Sequence, residues 1–243
     1  QWNNNEHLQA YLAVPAMGAV LHTLNIRMSA AQTAFIANHA EDHAIIVDAT
    51  LVPLLAPIMP ELSTVRHVIV AGGDPGDAFE GSGVAVHRYD ELIEGRPEEF
   101  DWPAVDEREA AAMCYTSGTT GHPKGVVYSH RSIYLHSMAV ALPGGFCLSD
   151  ADVVLTIVPQ FHVLSWGLPY AAFLTGASLA MPDRHLVADR LASFIAAARP
   201  NKAAAVPTVW TSLLHHVEST PGADISTLRE AVIGGSACPP SLM

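Results

Sequence analysis

Short apolar runs alternate with longer stretches of helical spacing along most of the chain. Runs rich in β-branched side chains indicate strands, whereas apolar positions that recur every three or four residues indicate helices. Ser29 followed by Gln32 fits a capping box that opens a helix through about residue 41. The predicted strands cover residues 44–47, 65–70, 84–89, 110–115, 153–158, 178–181, 203–206 and 231–233. The other predicted helices cover residues 132–142, 187–199 and 209–219.

This alternation predicts an α/β fold with mostly parallel sheets and flanking helices. Strands that alternate with helical patterns of about 10–15 residues are typical of βαβ units. Except for the runs that contain charged residues, the predicted strands are apolar throughout, as expected for strands that are covered on both faces. The acidic, proline-containing stretch 91–103 resembles a surface connection. It predicts a first α/β subdomain over residues 1–103 and a second over residues 104–243.

Composition and charge narrow the function classes. Of 243 residues, 50% are hydrophobic and only 15% are charged, which indicates a large buried core and excludes disorder. A formal net charge of -12 disfavours binding to nucleic acid phosphates. The three cysteines are widely spaced and form no zinc pattern, so a reducing cytoplasm is the expected location, with a peripheral position at the membrane left open. No apolar run reaches the length of about 18–20 residues that a transmembrane helix needs.

The most informative segment is residues 115–125, Tyr-Thr-Ser-Gly-Thr-Thr-Gly-His-Pro-Lys-Gly, which follows an apolar strand. Glycines at positions 118, 121 and 125 allow a ligand to approach the backbone, and Lys124 supplies a cation against a triphosphate. Pro123 before the lysine and Gly125 after it exclude a Walker A loop. The predicted phosphate-binding residues are Thr116, Ser117, Gly118, Thr119, Thr120, Gly121 and Lys124. A hydroxyl such as that of Thr116 is also a candidate ligand for the Mg²⁺ that accompanies ATP.

This segment resembles the signature of the adenylate-forming (AMP-binding) superfamily, and further blocks of the chain extend the resemblance in the family's order. The match is best to the medium- and long-chain fatty-acid–CoA ligases. The further blocks are residues 2–7, 18–25, 127–131, 159–162, 206–210 and 234–237.

The resemblance implies a two-step reaction in which ATP activates a carboxylate as an acyl-adenylate, pyrophosphate leaves, and the acyl group passes to coenzyme A. It implies that Thr116 and Lys124 act in catalysis at the phosphates and that His162 lies beside the acyl carboxylate. Substrate-binding positions implied by the resemblance are His162, Trp166, Gly167 and Gly234. Positions implied beside the adenine are Gly235, Ser236 and Ala237. By the same analogy the enzyme is expected to form a homodimer.

The family's next motifs, an aromatic-Gly-x-Thr-Glu segment, a ribose-binding Asp and a C-terminal catalytic Lys, are not found before Met243. The chain therefore resembles the middle of the large N-terminal domain of such an enzyme. On this basis the 243 residues alone are expected to be inactive in acyl-adenylate formation.

Three alternatives stay open at this point. One is an aryl- or amino-acid-activating domain, and another is a non-catalytic module that binds a nucleotide or an acyl group. The third is a zinc site at His39 and His43, which is disfavoured because the intervening residues do not form an HExxH motif. Cys114, on the strand before the loop, is expected to be a buried, inert thiol.

Overall fold

The structure of the protein is a computed structural model, and it describes residues 1–116 and 123–242. Within these ranges no helix is both long and apolar enough to cross a lipid bilayer. The strands are β1 (Leu21–Thr23), β2 (Ala44–Asp48), β3 (His67–Ala71), β4 (Ala85–Arg88), β5 (Ala110–Thr116), β6 (Lys124–Ser129), β7 (Val153–Thr156), β8 (Ser178–Ala180), β9 (Lys202–Ala205) and β10 (Glu230–Ile233). The α-helices are α1 (Asn5–Ala16), α2 (Ala30–His39), α3 (Val52–Leu55), α4 (Tyr89–Ile93), α5 (His130–Ala141), α6 (Leu168–Thr175), α7 (Ala188–Ala198) and α8 (Pro207–Ser219).

The chain forms two compact units. The first comprises Gln1 and Ala13–His130, and the second comprises Trp2–Leu12 and Arg131–Met243. Residues 104–130 cluster with the first unit because β5 pairs with β1. The boundary between the two units, as defined by contacts, therefore does not fall at residue 103. That residues 91–103 connect two subdomains stays a prediction.

The first unit contains two three-stranded sheets. Strands β2, β3 and β4 lie side by side and run parallel, with Val47 opposite Val70 in the centre of the sheet. In the other sheet β5 lies between β1, to which it runs parallel, and β6, to which it runs antiparallel. The Ser29 hydroxyl caps α2 as predicted, and the Gln32 side chain returns to the Ser29 backbone, so the capping box is complete.

The second unit has a fully parallel sheet with the strand order β10-β9-β7-β8. Every residue of β9 is buried, and its alanines alternate between two cores. Ala203 and Ala205 face the core with α7 and α8, whereas Ala204 faces the core with α5 and α6. Helices thus cover both faces of the sheet, which explains why its strands are mostly apolar.

All eight predicted strands are present within a few residues of their expected bounds, so the α/β prediction is confirmed. Six of the helices and strands were not predicted: α1, β1, α3, α4, β6 and α6. Helix α6, Leu-Pro-Tyr-Ala-Ala-Phe-Leu-Thr, is apolar almost all round and therefore lacks an amphipathic period. Strand β1 has only three residues, too few for a strand pattern to emerge. Helix α4 occupies the end of the predicted third strand and the start of the stretch expected to be a connection.

Candidate functional site

The predicted phosphate loop begins and ends on a pair of antiparallel strands. Thr116, the last residue of β5, lies directly opposite Lys124, the first residue of β6. Both residues are exposed. Side chains at directly opposed positions have Cβ atoms about 4.5–5.5 Å apart, so the Thr116 and Lys124 side chains start from neighbouring points at the ends of the two strands. Such a pair can donate hydrogen bonds to phosphate oxygens and offset their charge.

Ser117, Gly118, Thr119, Thr120 and Gly121 lie outside the described residues, so their expected contacts with phosphate stay predictions.

The strand that leads to Thr116 is firmly embedded. Ala111, Ala112, Cys114 and Tyr115 of β5 are buried. Burial raises the pKa of the Cys114 thiol, which keeps it protonated and a weak nucleophile, as expected for an inert cysteine. The strand therefore serves as a rigid base for the exposed residue at its end.

Sequence reasoning missed the partner of the Tyr115 side chain. The Tyr115 hydroxyl lies 2.6 Å from Nδ1 of His39, the last residue of α2. Burial raises the pKa of Tyr115, and the nearby Asp42 carboxylate raises it further. The hydroxyl therefore stays protonated and can donate to the imidazole. A tyrosine that ends an apolar run before a loop was the available signal, but nothing in the pattern identified His39 as its partner.

In the second unit, a left-handed turn formed by Val163–Gly167 follows the Pro-Gln-Phe-His block. Its first four residues have φ of 49° to 55°. For residues other than glycine this conformation costs roughly 1–2 kcal/mol each. Two hydrogen bonds support it: the Ser165 hydroxyl donates to the Val158 carbonyl at 2.7 Å, and His136 Nε2 lies 3.2 Å from the Trp166 carbonyl. Backbone strain held in this way is typical of functional sites.

His162 immediately precedes the turn. Its backbone is extended, with φ of -138°, and its side chain is exposed. The structure places His162 at the surface, and its contact with an acyl carboxylate stays a prediction.

Trp166 and the Gly-Gly segment after β10 are brought together. A Cβ atom placed on Gly234 would lie 2.8 Å from the Trp166 indole ring, and one on Gly235 would lie 3.9 Å from it. Only a residue without a side chain allows the indole to lie so close to the backbone at position 234. Ser236 and Ala237 follow as exposed residues. Four of the predicted positions, Trp166, Gly167, Gly234 and Gly235, therefore lie in one region of the second unit.

The described residues contain no group of three or more His, Cys, Asp or Glu side chains placed to hold a metal ion. The i,i+4 pair of His39 and His43 accordingly has no set of protein ligands around it in residues 1–116 and 123–242. His39 is instead hydrogen-bonded to Tyr115.

Comparisons with known proteins agree with this architecture. Over 242 residues the chain is 46% identical to a long-chain-fatty-acid–CoA ligase from Thermus thermophilus and 43% identical to a 3-methylmercaptopropionyl-CoA ligase from Ruegeria lacuscaerulensis. The alignments cover 100% of this chain but only 43% and 44% of those proteins, so the chain spans less than half of their length. Among solved structures, a long-chain-fatty-acid-CoA ligase from Archaeoglobus fulgidus superposes with a TM-score of 0.81 at 24% identity. That alignment covers 99% of this chain and 46% of the solved one, and at this identity it establishes the fold alone.

The family model described as AMP-binding enzyme matches residues 1–243, the whole chain. The match includes both ends of the loop, Thr116 and Lys124, and the region where Trp166 meets Gly234. The chain therefore belongs to the AMP-binding enzyme family.

Proposed function

We propose that the whole protein carrying this chain is an acid–thiol ligase that activates a fatty acid in two steps. In the first step a carboxylate oxygen attacks the α-phosphorus of ATP, which forms an acyl-adenylate and releases pyrophosphate. In the second step the thiol of coenzyme A attacks the acyl carbon, and AMP leaves. The observation that carries this proposal is the identity of 46% to a long-chain-fatty-acid–CoA ligase over the full length of this chain.

Thr116 and Lys124 are proposed to act at the polyphosphate, together with residues 117–121. Their position on facing strand ends supports this role, because hydroxyl and ammonium donors then converge on one anionic group. The positive charge of Lys124 would offset charge on the β- and γ-phosphates and favour departure of pyrophosphate. The exposed Thr116 hydroxyl is a hard oxygen donor of the kind that Mg²⁺ prefers, so it fits a metal that accompanies ATP. When bound, Mg²⁺ would supply charge neutralisation at the phosphates.

The second unit is proposed to hold the acyl group and the adenine. His162 would orient the carboxylate, and Trp166, Gly167 and Gly234 would line the acyl pocket. The contact of the Trp166 indole with Gly234 supports this assignment, because a large ring packed against a glycine forms an apolar surface that could line a pocket. Gly235, Ser236 and Ala237 are proposed to pass beside the adenine.

A second substrate class has specific support. The relative from Ruegeria lacuscaerulensis is named a 3-methylmercaptopropionyl-CoA ligase, and its identity of 43% is close to that of the fatty-acid enzyme. A short thioether carboxylate is therefore the second candidate substrate. Aromatic acids rank below it, because the solved anthranilate and benzoate CoA ligases match at 22% and 21% identity and support the fold alone.

Pyrophosphate release by the whole protein tests these alternatives directly. The assay compares palmitate, octanoate, 3-methylmercaptopropionate, benzoate and amino acids, each with ATP, Mg²⁺ and coenzyme A. We expect the highest kcat/KM with octanoate or palmitate. A preference for benzoate or an amino acid would reassign the substrate class, and tight ATP binding without turnover of any acid would indicate a non-catalytic module.

Substitution of Lys124 tests the phosphate site itself. We expect Lys124→Ala to raise the KM for ATP at least tenfold, because a charge-assisted hydrogen bond is worth about 1.5–3 kcal/mol. The matched control is Arg108→Ala, which removes an exposed cation that is paired with Asp106 in the same unit. Unchanged ATP affinity in Lys124→Ala would show that the loop is assigned incorrectly.

We also propose a cytoplasmic enzyme that forms a homodimer. All three cysteines are free thiols, which suits a reducing compartment, and the dimer is an analogy with the fatty-acid branch of the family. Sedimentation of the whole protein tests the dimer, and cell fractionation separates a cytoplasmic enzyme from one held peripherally at a membrane.

A further inference from the structure

A polar cluster lies next to the candidate phosphate site, at the end of β5. It consists of His22 on β1, His39 at the end of α2, Asp42 just beyond α2, and Tyr115 on β5. Tyr115 is the link, because its ring centroid lies 5.3 Å from that of His22 and 5.9 Å from that of His39. All four residues belong to the first unit. The cluster stands one residue away from Thr116 along β5.

Asp42 and His22 form the inner half of the cluster. Nδ1 of His22 lies 2.8 Å and 3.0 Å from the two Asp42 carboxylate oxygens, and the two side chains are only 6% and 11% exposed. Nε2 of His22 is buried without a hydrogen-bond partner among the described residues. A buried imidazole held by a carboxylate has a defined orientation, so it presents a fixed surface to the Tyr115 ring.

His39 and Tyr115 form the outer half. The Phe35 ring, one helical turn earlier on α2, stacks on His39 with centroids 5.5 Å apart and so limits how its imidazole can turn. The 2.6 Å bond between His39 and Tyr115 joins residues that are 76 positions apart. It therefore ties α2 to the end of β5, an attachment that the strand ladder alone does not provide.

The opposite strand leaves space for the Tyr115 ring. Gly125 is the cross-strand partner of Tyr115, and a Cβ atom at Gly125 would lie 3.0 Å from the ring carbon that carries the hydroxyl. A side chain at position 125 would therefore crowd the Tyr115 ring where it lies across β6. The next pair along the ladder is Thr116 and Lys124.

We propose that the hydrogen bond between Tyr115 and His39 positions Thr116 and Lys124, the two residues at the facing ends of β5 and β6. Tyr115 and His39 are then positioning residues for ATP. The inference rests on the proposed function, since it assumes that Thr116 and Lys124 bind phosphate. Tyr115 and Gly125 form the last cross-strand pair before these two residues. Rotation or lateral movement of the Tyr115 ring would shift the backbone from which both donors project. With the ring held by His39 and by the Asp42–His22 pair, the donors are arranged before the nucleotide arrives, and binding requires less ordering.

The test measures ATP affinity and the kinetics of the whole protein for three variants. Tyr115→Phe removes one oxygen and keeps the ring over Gly125, and His39→Ala removes the acceptor. His39→Asn retains a polar group near the position of Nδ1. We expect Tyr115→Phe and His39→Ala each to raise the KM for ATP about three- to tenfold, the range that loss of one hydrogen bond supports. The double variant should be no worse than either single one, and His39→Asn should recover to within about twofold of the wild type.

The matched control is Tyr128→Phe. It removes a tyrosine hydroxyl from the same pair of strands, and within residues 1–116 and 123–242 that hydroxyl has a weak contact with the Cys114 sulfur at 4.0 Å. We expect its KM for ATP to be unchanged. In all variants the KM for the carboxylate should stay within about twofold, because a positioning role at the phosphates does not extend to the acyl group.

The outcomes separate this proposal from the proposed function. If Lys124→Ala weakens ATP binding while Tyr115→Phe and His39→Ala do not, the positioning role is wrong and the ligase assignment stands. If Tyr115→Phe raises the KM values for ATP and carboxylate together, the hydrogen bond serves general stability and the proposal fails. If equilibrium dialysis detects no ATP binding by the wild-type protein, both proposals fail.

Discussion

The two candidate sites are supported by different kinds of contact. At the end of β5, the support is directional: Tyr115 is bonded to His39 at 2.6 Å, beside the buried pair of His22 and Asp42. In the second unit, the Trp166 indole is held by close packing, because the ring occupies space that a side chain at position 234 would fill.

This difference predicts which changes each region tolerates. A hydrogen bond depends on one atom and its direction, so removal of a single oxygen should disturb the first site. Close packing depends on volume, so the second site should tolerate loss of a polar atom but not the addition of a methyl group. Three substitutions test the comparison through stability, and they are described from the largest expected effect to the smallest.

The strongest challenge to the comparison is a polar network inside the second unit. Lys202 Nζ donates to the carbonyls of Phe146 and Cys147 at 2.6 Å and 2.7 Å and lies 3.2 Å from a carboxylate oxygen of Glu230. Its side chain is 11% exposed. We expect Lys202→Met to lower the free energy of unfolding by about 3 kcal/mol, because the two carbonyls lose a charged donor and Asp152, 4.0 Å away, loses its cation. Urea unfolding measures this loss.

The control for this network is Arg190→Met. It removes an exposed cation that lies 3.9 Å from Asp189 on α7, a type of surface pair that contributes little. We expect no measurable change in urea unfolding. If Lys202→Met also left the free energy of unfolding unchanged, the polar contacts of Lys202 would not stabilise the second unit. The contrast between the two regions would then be sharper.

Gly234→Ala tests the spatial support at the candidate acyl site. The added methyl group would lie 2.8 Å from the Trp166 ring, so the indole must move. We expect a loss of about 2 kcal/mol in the free energy of unfolding, within the range for overpacking. The thermal midpoint of the variant measures the effect.

Gly144→Ala is the matched control, because a methyl group at that position meets no atom within 4 Å. It should leave the midpoint almost unchanged. Equal effects of the two substitutions would mean that the space beside Trp166 plays no special role.

The smallest effect is expected at the far end of the helix that carries His39. Ser29→Ala removes the hydroxyl that caps α2, and we expect a loss of about 1 kcal/mol in the free energy of unfolding. The control is Ser193→Ala on α7, where the hydroxyl donates to the Asp189 carbonyl one turn earlier in the same helix. Because His39 lies at the opposite end of α2, the KM for ATP should not change with Ser29→Ala. A rise in that KM would show that the whole helix, and not the single hydrogen bond, supports the phosphate site.

Much of the fold could be predicted because its signals are local. The eight predicted strands follow from apolar runs, and the start of α2 follows from Ser29 and Gln32, which are three residues apart. Strand β6 was missed because four of its six residues are exposed, so it lacks the apolar character of the other strands. The left-handed turn Val163–Gly167 was missed because four of its residues rarely adopt positive φ, and no local preference indicates it.

For the candidate site, the sequence alone determined the family resemblance and the residues that make up the loop, because these depend on residue types at fixed spacing. Only the tertiary structure decided that Tyr115 bonds to His39, that Trp166 lies against Gly234, and that Lys202 bonds to the carbonyls of residues 146 and 147. These contacts join residues that are distant along the chain. Their geometry depends on the path of the backbone between them, which neither periodicity nor a motif records.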